Sequence, residues 1–295
     1  MNTRTLVSIL LAGGIWASTA SAGLLYSTIP GTIPPDTTRS WSFETTSTRE
    51  FGNLITFDTG GDLNAASVLL SNWAYESKYE TLGTSAGYTV PITLTLYSPV
   101  HSGDTVSAGT PITSTTSFVF VPWRDEPNPG ACGDPDGGQP YSSGGGCYSG
   151  STVLANFTFD NVVVSGEVIY GISFNTQNSG YAPTGVVGPY NSLNVAWSDA
   201  APSAGGNPQP GSAFLNTTNN SIYFDFDSDN PTANTSGTFR QDFNYTDYFV
   251  CADAGVCQVD YSAAVSFSST PEPGTVMMML IGVAGVAAAK FRKRS

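Results

Sequence analysis

The sequence predicts an all-β protein, an antiparallel β-sandwich with long loops, and a jelly roll is the topology we expect. Short segments of alternating apolar and polar residues recur along the chain. Such alternation buries one face of a strand. Turns rich in Gly, Pro, Asn and Ser separate the segments, as in sandwiches. No helical periodicity of useful length occurs between residues 23 and 270.

The first 22 residues have the pattern of a secretory signal peptide. Arg4 supplies the positive region, residues 6–15 form an apolar core, and Ala-Ser-Ala at 20–22 is a small-x-small cleavage site. A membrane anchor is the alternative, but ten apolar residues are too few to span a bilayer. We therefore expect the β-sandwich body to begin at residue 23.

Eight segments of the body carry the strand pattern. The stretch 63–79 is the one place where a helix competes, but its Ser, Asn, Thr and Gly residues favour strand and turn. One large domain over residues 23–270 fits these strands, and two smaller domains are the alternative. The eight segments are residues 39–44, 89–97, 118–121, 153–159, 168–174, 193–197, 222–226 and 263–267.

Two Gly- and Pro-rich stretches, 122–150 and 199–211, are predicted to be long irregular loops within one domain. The body also holds four cysteines, and export to an oxidising compartment favours two disulfides. Three connectivities are possible. We favour local pairing of Cys132 with Cys147 and of Cys251 with Cys257, because each pair brackets a Gly- or Asp-bearing loop. Zinc is the rival, but a single histidine does not match compact zinc sites.

The last 25 residues combine a rigid polar break, an apolar run and a basic stop. The apolar run 274–289 has sixteen residues, a transmembrane helix of about 24 Å against a hydrocarbon core of about 30 Å. This tail resembles the PEP-CTERM sorting signal of exported bacterial proteins, which implies transient membrane retention and processing by an exosortase. An uncleaved anchor is the alternative. The sorting residues are Pro271, Glu272 and Pro273, and the basic stop is Lys290, Arg292, Lys293 and Arg294.

Without the two signals the body is strongly acidic. Five basic residues stand against 22 acidic ones in residues 23–270, a formal charge of −17. Such a surface repels phosphate backbones, so we expect no nucleic-acid partner. It favours solubility outside the cell and is compatible with Ca²⁺.

Residues 90–200 carry a second resemblance. Ile-Thr-Leu-Thr-Leu-Tyr at 92–97 precedes Phe-Val-Pro-Trp-Arg at 120–124, and two cysteines then flank a Gly-rich loop. Val-Ile-Tyr-Gly-Ile at 168–172 and Gly-Pro-Tyr-Asn-Ser-Leu-Asn at 188–194 close the series. The body is similar to exported bacterial β-sandwich proteins of unknown function, which implies a fold more than an activity.

No catalytic residue is predicted. A serine or cysteine nucleophile needs a nearby base, and the single histidine, His101, lies in a polar turn. No Gly-x-Ser-x-Gly elbow occurs. Glycoside hydrolysis needs only two carboxylates. The pairs Glu44 with Glu50 and Glu76 with Glu80 therefore keep a glycan-active enzyme open as an alternative.

Two binding hypotheses remain. Asp225, Asp227 and Asp229 alternate along one strand end and could hold Ca²⁺ with oxygens from other loops. They lack the Gly and terminal Glu of an EF-hand, so a solvated acidic strand exit competes with the calcium site. Aromatic residues could stack on sugar rings: Trp41 and Trp197 lie in strands, whereas Trp73, Trp123, Tyr141 and Tyr148 lie nearer loops.

These features predict an exported, non-enzymatic β-sandwich that passes through the inner membrane to the cell surface or extracellular matrix. Its expected role is structural or adhesive, in association with extracellular polysaccharide. The expected partners are an exosortase, the export machinery and polysaccharide. A carbohydrate-binding module and an extracellular glycan-active enzyme are the alternatives.

Overall fold

Antiparallel strands make up nearly all of the regular structure. The computed structural model describes residues 23–33, 40–42, 44, 48–102, 105–133, 141–143, 146–148, 150–198, 200–208, 214–217, 246–250, 256–258 and 262–269. The strands are β1 (Gly23–Ser27), β2 (Ser40–Ser42), β3 (Thr48–Asn72), β4 (Gly87–Ser102), β5 (Thr105–Pro122), β6 (Tyr141–Ser143), β7 (Gly146–Tyr148), β8 (Ser151–Ser173), β9 (Leu193–Ser198), β10 (Phe214–Thr217), β11 (Thr246–Val250), β12 (Val256–Gln258), β13 (Ser262–Ala263) and β14 (Val265–Ser269), with short 3-10 turns at Glu76–Lys78 and Pro189–Ser192.

Two long strands, β3 and β8, form the centre of the main sheet. They pair along nearly their whole length, and the register shifts at 57–61 and 63–65. The first half of β3 also pairs with β10, and its second half pairs with β14 and β9. On the other side of β8, residues 169–173 pair with β4. The described sheet order is β1-β14-β3-β8-β4-β5.

The core lies between the inward faces of these strands. Apolar side chains at alternate positions of β4, such as Ile92 and Leu94, are fully buried. They belong to one cluster with Val68 and Leu70 of β3, Phe157 of β8 and residues of β14. The alternation of apolar and polar residues in the sequence therefore corresponds to one buried and one outward face. The described fold is sandwich-like.

The fold class is confirmed: the described residues are all-β, antiparallel and almost free of helix. The predicted strands were too short, because β8 joins the segments 153–159 and 168–174 through a register shift instead of a loop. The loop 122–150 also contains the β6–β7 hairpin. The jelly-roll topology stays a prediction, and the segment 222–226 lies outside the described residues.

The terminal signals, 1–22 and 271–295, also lie outside the described residues. Gly23–Thr270 form one compact unit. Within the described part of the chain, no helix is long and apolar enough to cross a membrane. The proposed transmembrane run 274–289 is not in that part, and the boundaries of the signal peptide stay a prediction.

Candidate binding surface

Glu50 is the polar centre of the outward face of β3. Its side chain is 1% exposed, although the neighbouring Phe51 points into the core. The hydroxyl of Tyr97 on β4 donates to both carboxylate oxygens, at 3.0 and 3.1 Å. The hydroxyl of Tyr181, from the segment after β8, also donates to Oε2. Two tyrosines from separate elements thus satisfy one buried carboxylate, as the low dielectric of a protein interior requires.

Glycines make room for this carboxylate. Gly52 on β3 and Gly171 on β8 lie opposite each other in register, and Gly171 also faces Thr95 of β4. A Cβ on Gly171 would overlap the carboxylate of Glu50, and a Cβ on Gly52 would overlap the carbonyl oxygen of Tyr170. The Glu50 side chain therefore lies over the bare backbone of β8 and reaches Tyr97. The Gly in Val-Ile-Tyr-Gly-Ile is explained by this close approach.

Burial controls the protonation of the cluster. It raises the pKa of Glu50, and the hydrogen bonds from Tyr181 and Tyr97 oppose that rise. Burial, together with the negative charge of Glu50, raises the pKa of Tyr97 to about 12. The same two causes raise the pKa of Tyr181 well above its ordinary value. A tyrosine nucleophile would need a lowered pKa, so the cluster is arranged to hold protons on both phenols.

A second carboxylate fixes the same segment at its start. Thr176 Oγ1 and the side-chain amide of Asn178 donate to Glu44, and the Asn178 backbone N–H donates to Glu44 Oε2 at 3.2 Å. The N–H of Gly180 donates to the carbonyl of Thr48 at 2.9 Å. The carboxylates noted in the sequence as a possible catalytic pair thus both act as hydrogen-bond acceptors for the segment that follows β8.

The outward side of the β4–β5 hairpin is uncharged and continues the same sheet face. Neither strand contains Asp, Glu, Lys or Arg. Phe118 is 76% exposed and Phe120 is 51% exposed. We call the outward residues of this hairpin the neutral face. Its cross-strand pairs are Phe118 with Pro91, Phe120 with Thr89, Thr116 with Thr93 and Ser114 with Thr95.

Hydroxyl groups line the neutral face beside the two phenyl rings. Thr93 and Thr116 hydrogen-bond through their hydroxyls at 2.8 Å, and Thr95 and Ser114 do so at 3.0 Å. These cross-strand bonds order the hydroxyls, of which those of Ser114 and Thr116 belong to exposed residues, whereas Thr95 is buried. The surface therefore offers apolar rings and ordered hydroxyls without a charge.

The aromatic residues that the sequence suggested for sugar stacking are buried or half-buried wherever their side chains are described, which leaves out Trp41. The Trp123 ring is stacked 6.3 Å from that of Tyr79, and its Nε1–H donates to Thr84 O at 2.7 Å. Trp73 is half-buried and donates to Ser71 Oγ at 3.1 Å. Among the described tryptophans none is exposed. The exposed phenylalanines of the neutral face were missed, because alternation alone does not show which side of a hairpin is outward.

Arg124 packs between two tyrosine rings, next to Trp73 and Trp123. Its Cζ lies 5.2 Å from the ring centroids of both Tyr75 and Tyr141, and its Nε–H donates to Trp73 O at 2.8 Å. Burial lowers the pKa of Arg124, and Tyr141, Tyr75 and Glu126 oppose that effect. A guanidinium held between two rings is a cation–π arrangement. It joins the β6–β7 hairpin to the main sheet.

The disulfide from Cys132 to Cys147 closes the same region, as predicted. Cys251 lies outside the described residues, and Cys257 lies in β12, where its side chain is not described. Asp225, Asp227 and Asp229 also lie outside them, so the calcium site stays a prediction. Among the residues that the structure describes, no group of three His, Cys, Asp or Glu side chains could hold a metal ion. His101 is the next-to-last residue of β4, and its Nε2 lies 2.7 Å from Glu167 Oε2.

The comparisons with known proteins identify the tail. Residues 269–294 match the PEP-CTERM protein-sorting motif. The chain carries a PEP-CTERM tag. The match includes all seven residues predicted for the sorting motif and basic stop, so the protein is exported and its tag is a substrate signal for an exosortase. No curated protein and no solved structure matches the chain.

Proposed function

We propose that this PEP-CTERM protein is a non-enzymatic structural or adhesive component of the cell surface or extracellular matrix, and that it associates there with extracellular polysaccharide. The sorting motif supports the exported destination. The neutral face is the observation that carries the polysaccharide part of the proposal. It is an uncharged surface on a body of formal charge −17.

The chemistry of the neutral face suits a sugar polymer. A sugar ring has an apolar C–H side, which can cover a phenyl ring, and hydroxyls at its rim. Phe118 and Phe120 are two residues apart on one side of β5, so their rings are spaced about 7 Å along the strand. The ordered hydroxyls of Thr93 and Thr116 lie beside them. Exposed rings with polar neighbours are typical of binding surfaces.

The test is binding of the full chain to extracellular polysaccharide purified from the producing cells, measured by co-sedimentation. Replacing Phe118 and Phe120 by Ala removes the apolar contact, and we expect binding to fall by roughly tenfold or more, since each ring buries substantial area. Val163→Ala is the matched control, because Val163 is 75% exposed but lies on β8. Wild-type protein that does not bind, or a double variant that binds as well as wild type, would contradict the proposal.

A glycan-active enzyme is the competing class, and the buried Glu50 with its raised pKa is the feature that would serve it as a general acid. The two tyrosines cover this carboxyl group and use its acceptor positions. We therefore assign Glu50 to anchoring the segment after β8. Hydrolysis of the same polysaccharide by wild type, lost in Glu50→Gln, would favour the enzyme instead.

A further inference from the structure

We infer that the free edge of β5 pairs antiparallel with β5 of a second copy of this chain, which joins two neutral faces into one. Among the described strands, β5 has one strand partner, β4, and ends the sheet order. In the described part of the chain no strand or bridge pairs with the opposite edge of β5, which presents backbone N–H and C=O groups of the kind that pair with another strand.

The edge is long and regular enough to act as a pairing surface. From Gly87 opposite Pro122 to Leu96 opposite Thr113, the β4–β5 register runs without a shift. The irregularities lie beyond Leu96, and Pro111 and Pro122 lie at the two limits of this section. Natural edges are usually protected by charges, bulges or prolines. Residues 113–121 have none of these protections.

Charge decides which occupant fits this edge. Two bodies of formal charge −17 repel each other over most of their surfaces. The uncharged β4–β5 strands provide a surface on which two copies can approach without facing like charges. Phe118, at 76% exposed, is then covered by the equivalent strand of the partner, which removes an apolar side chain from water.

Pairing across a two-fold axis also fixes the faces. In an antiparallel pair, residues directly opposite project to the same side. Outward residues of β5 therefore lie opposite outward residues of its copy. Because the two strands are antiparallel, the residue numbers of every opposite pair have the same sum. If Phe118 lies at the axis, Thr116 of one copy faces Phe120 of the other. The result is a continuous sheet in which the four phenyl rings of the two copies lie together on one side, the Phe118 rings next to the axis and the Phe120 rings flanking them.

The experiment compares full-chain variants in one detergent buffer without polysaccharide, so its outcome is separate from that of polysaccharide binding. All variants share the same tail, and any association through the tail is common to them. We expect wild type to show a concentration-dependent dimer by sedimentation velocity. Phe118→Lys places like charges at the paired edge, and we expect its dissociation constant to rise at least tenfold. Val163→Lys, with the same exposure on β8, should leave it unchanged.

Cysteine cross-linking tests the geometry directly. Single Cys substitutions at Thr116, Phe118 and Phe120 are oxidised alone and in mixed pairs, with the unsubstituted chain as the baseline. Antiparallel pairing predicts cross-links only between positions with one constant sum, because a disulfide needs Cα atoms within about 7 Å. Cross-links with no constant sum would overturn the inference. A protein that stays monomeric at every concentration would also overturn the inference. This includes a monomer whose β5 amides are protected from hydrogen exchange, because another part of the same chain then pairs with that edge.

Discussion

Replacing Tyr97 by Phe removes one hydroxyl from the Glu50 cluster and leaves the ring in place. The lost bond joins a phenol to a carboxylate that is 1% exposed. A hydrogen bond to a charged group contributes about 1.5–3 kcal/mol, against about 0.5–1.5 kcal/mol between neutral groups. We therefore expect the variant to lose about 2 kcal/mol of unfolding free energy where Glu50 is ionised, and about 1 kcal/mol where it is protonated.

The sign of the pH dependence follows from the raised pKa of Glu50. Burial raises it above 4.5, so the folded protein holds this proton more tightly than the unfolded chain does. The contribution of Glu50 to stability is therefore greatest below pH 4.5. It declines as the pH rises through the pKa that Glu50 has in the folded protein. Loss of the Tyr97 hydrogen bond raises that pKa further, so the decline in stability extends to a higher pH and is larger in total in the variant.

Urea unfolding followed by tryptophan fluorescence at pH 4 and pH 8 measures both effects. With a slope of about 3 kcal/mol per molar urea, a loss of about 2 kcal/mol moves the midpoint by about 0.7 M at pH 8. Tyr190→Phe is the control, because the Tyr190 hydroxyl donates to the uncharged Val186 carbonyl at 2.7 Å. Its effect should be equal at both pH values. A Tyr97→Phe loss that is also equal at both values would refute the assignment of a buried ionisable carboxylate.

Three further perturbations test the elements around the candidate surface. Gly171→Ala should cost about 2–4 kcal/mol of unfolding free energy, because its Cβ displaces the Glu50 carboxylate, whereas Gly31→Ala meets no atom and should cost less than about 1 kcal/mol. Replacing Cys132 and Cys147 by Ala opens a loop of 15 residues, and urea unfolding should show a loss of about 3 kcal/mol. An unchanged midpoint would show that the region is ordered without the disulfide. Arg124→Ala should cost about 2–4 kcal/mol by removing the cation between two tyrosine rings, and Arg124→Lys should recover part of it.

The strand pattern predicted the fold class because burial of alternate side chains is a local property. Residues 89–97 alternate, and their apolar members are the buried side of β4. Strand length was less predictable. β8 continues through residues 160–167 because β3 pairs with it on either side of a register shift, and such pairing depends on a strand distant in sequence. The cysteine spacing likewise predicted the Cys132–Cys147 disulfide.

The candidate surface was much harder to predict from the sequence. Glu50 was one carboxylate among several, and nothing local indicates that Tyr97 and Tyr181 converge on it from two other elements. Their convergence depends on the pairing of Gly52 with Gly171, which leaves space for a side chain above β8. Trp123 showed the opposite case. Its position near a loop suggested exposure, but stacking on Tyr79 and a hydrogen bond to Thr84 occupy it.

The sequence by itself determined that this protein is exported with a sorting tag, and it determined the fold class. A sorting tag is a linear signal, read in order by a membrane enzyme, and residues 269–294 contain it complete. The alternation of apolar and polar residues along a strand can likewise be read directly from the order of the residues. Only the tertiary structure decided that Glu50 is buried under two tyrosines and that Phe118 and Phe120 lie outside on an uncharged edge hairpin. Burial and exposure depend on which distant strands pack together, and that packing is set by interactions along the whole chain.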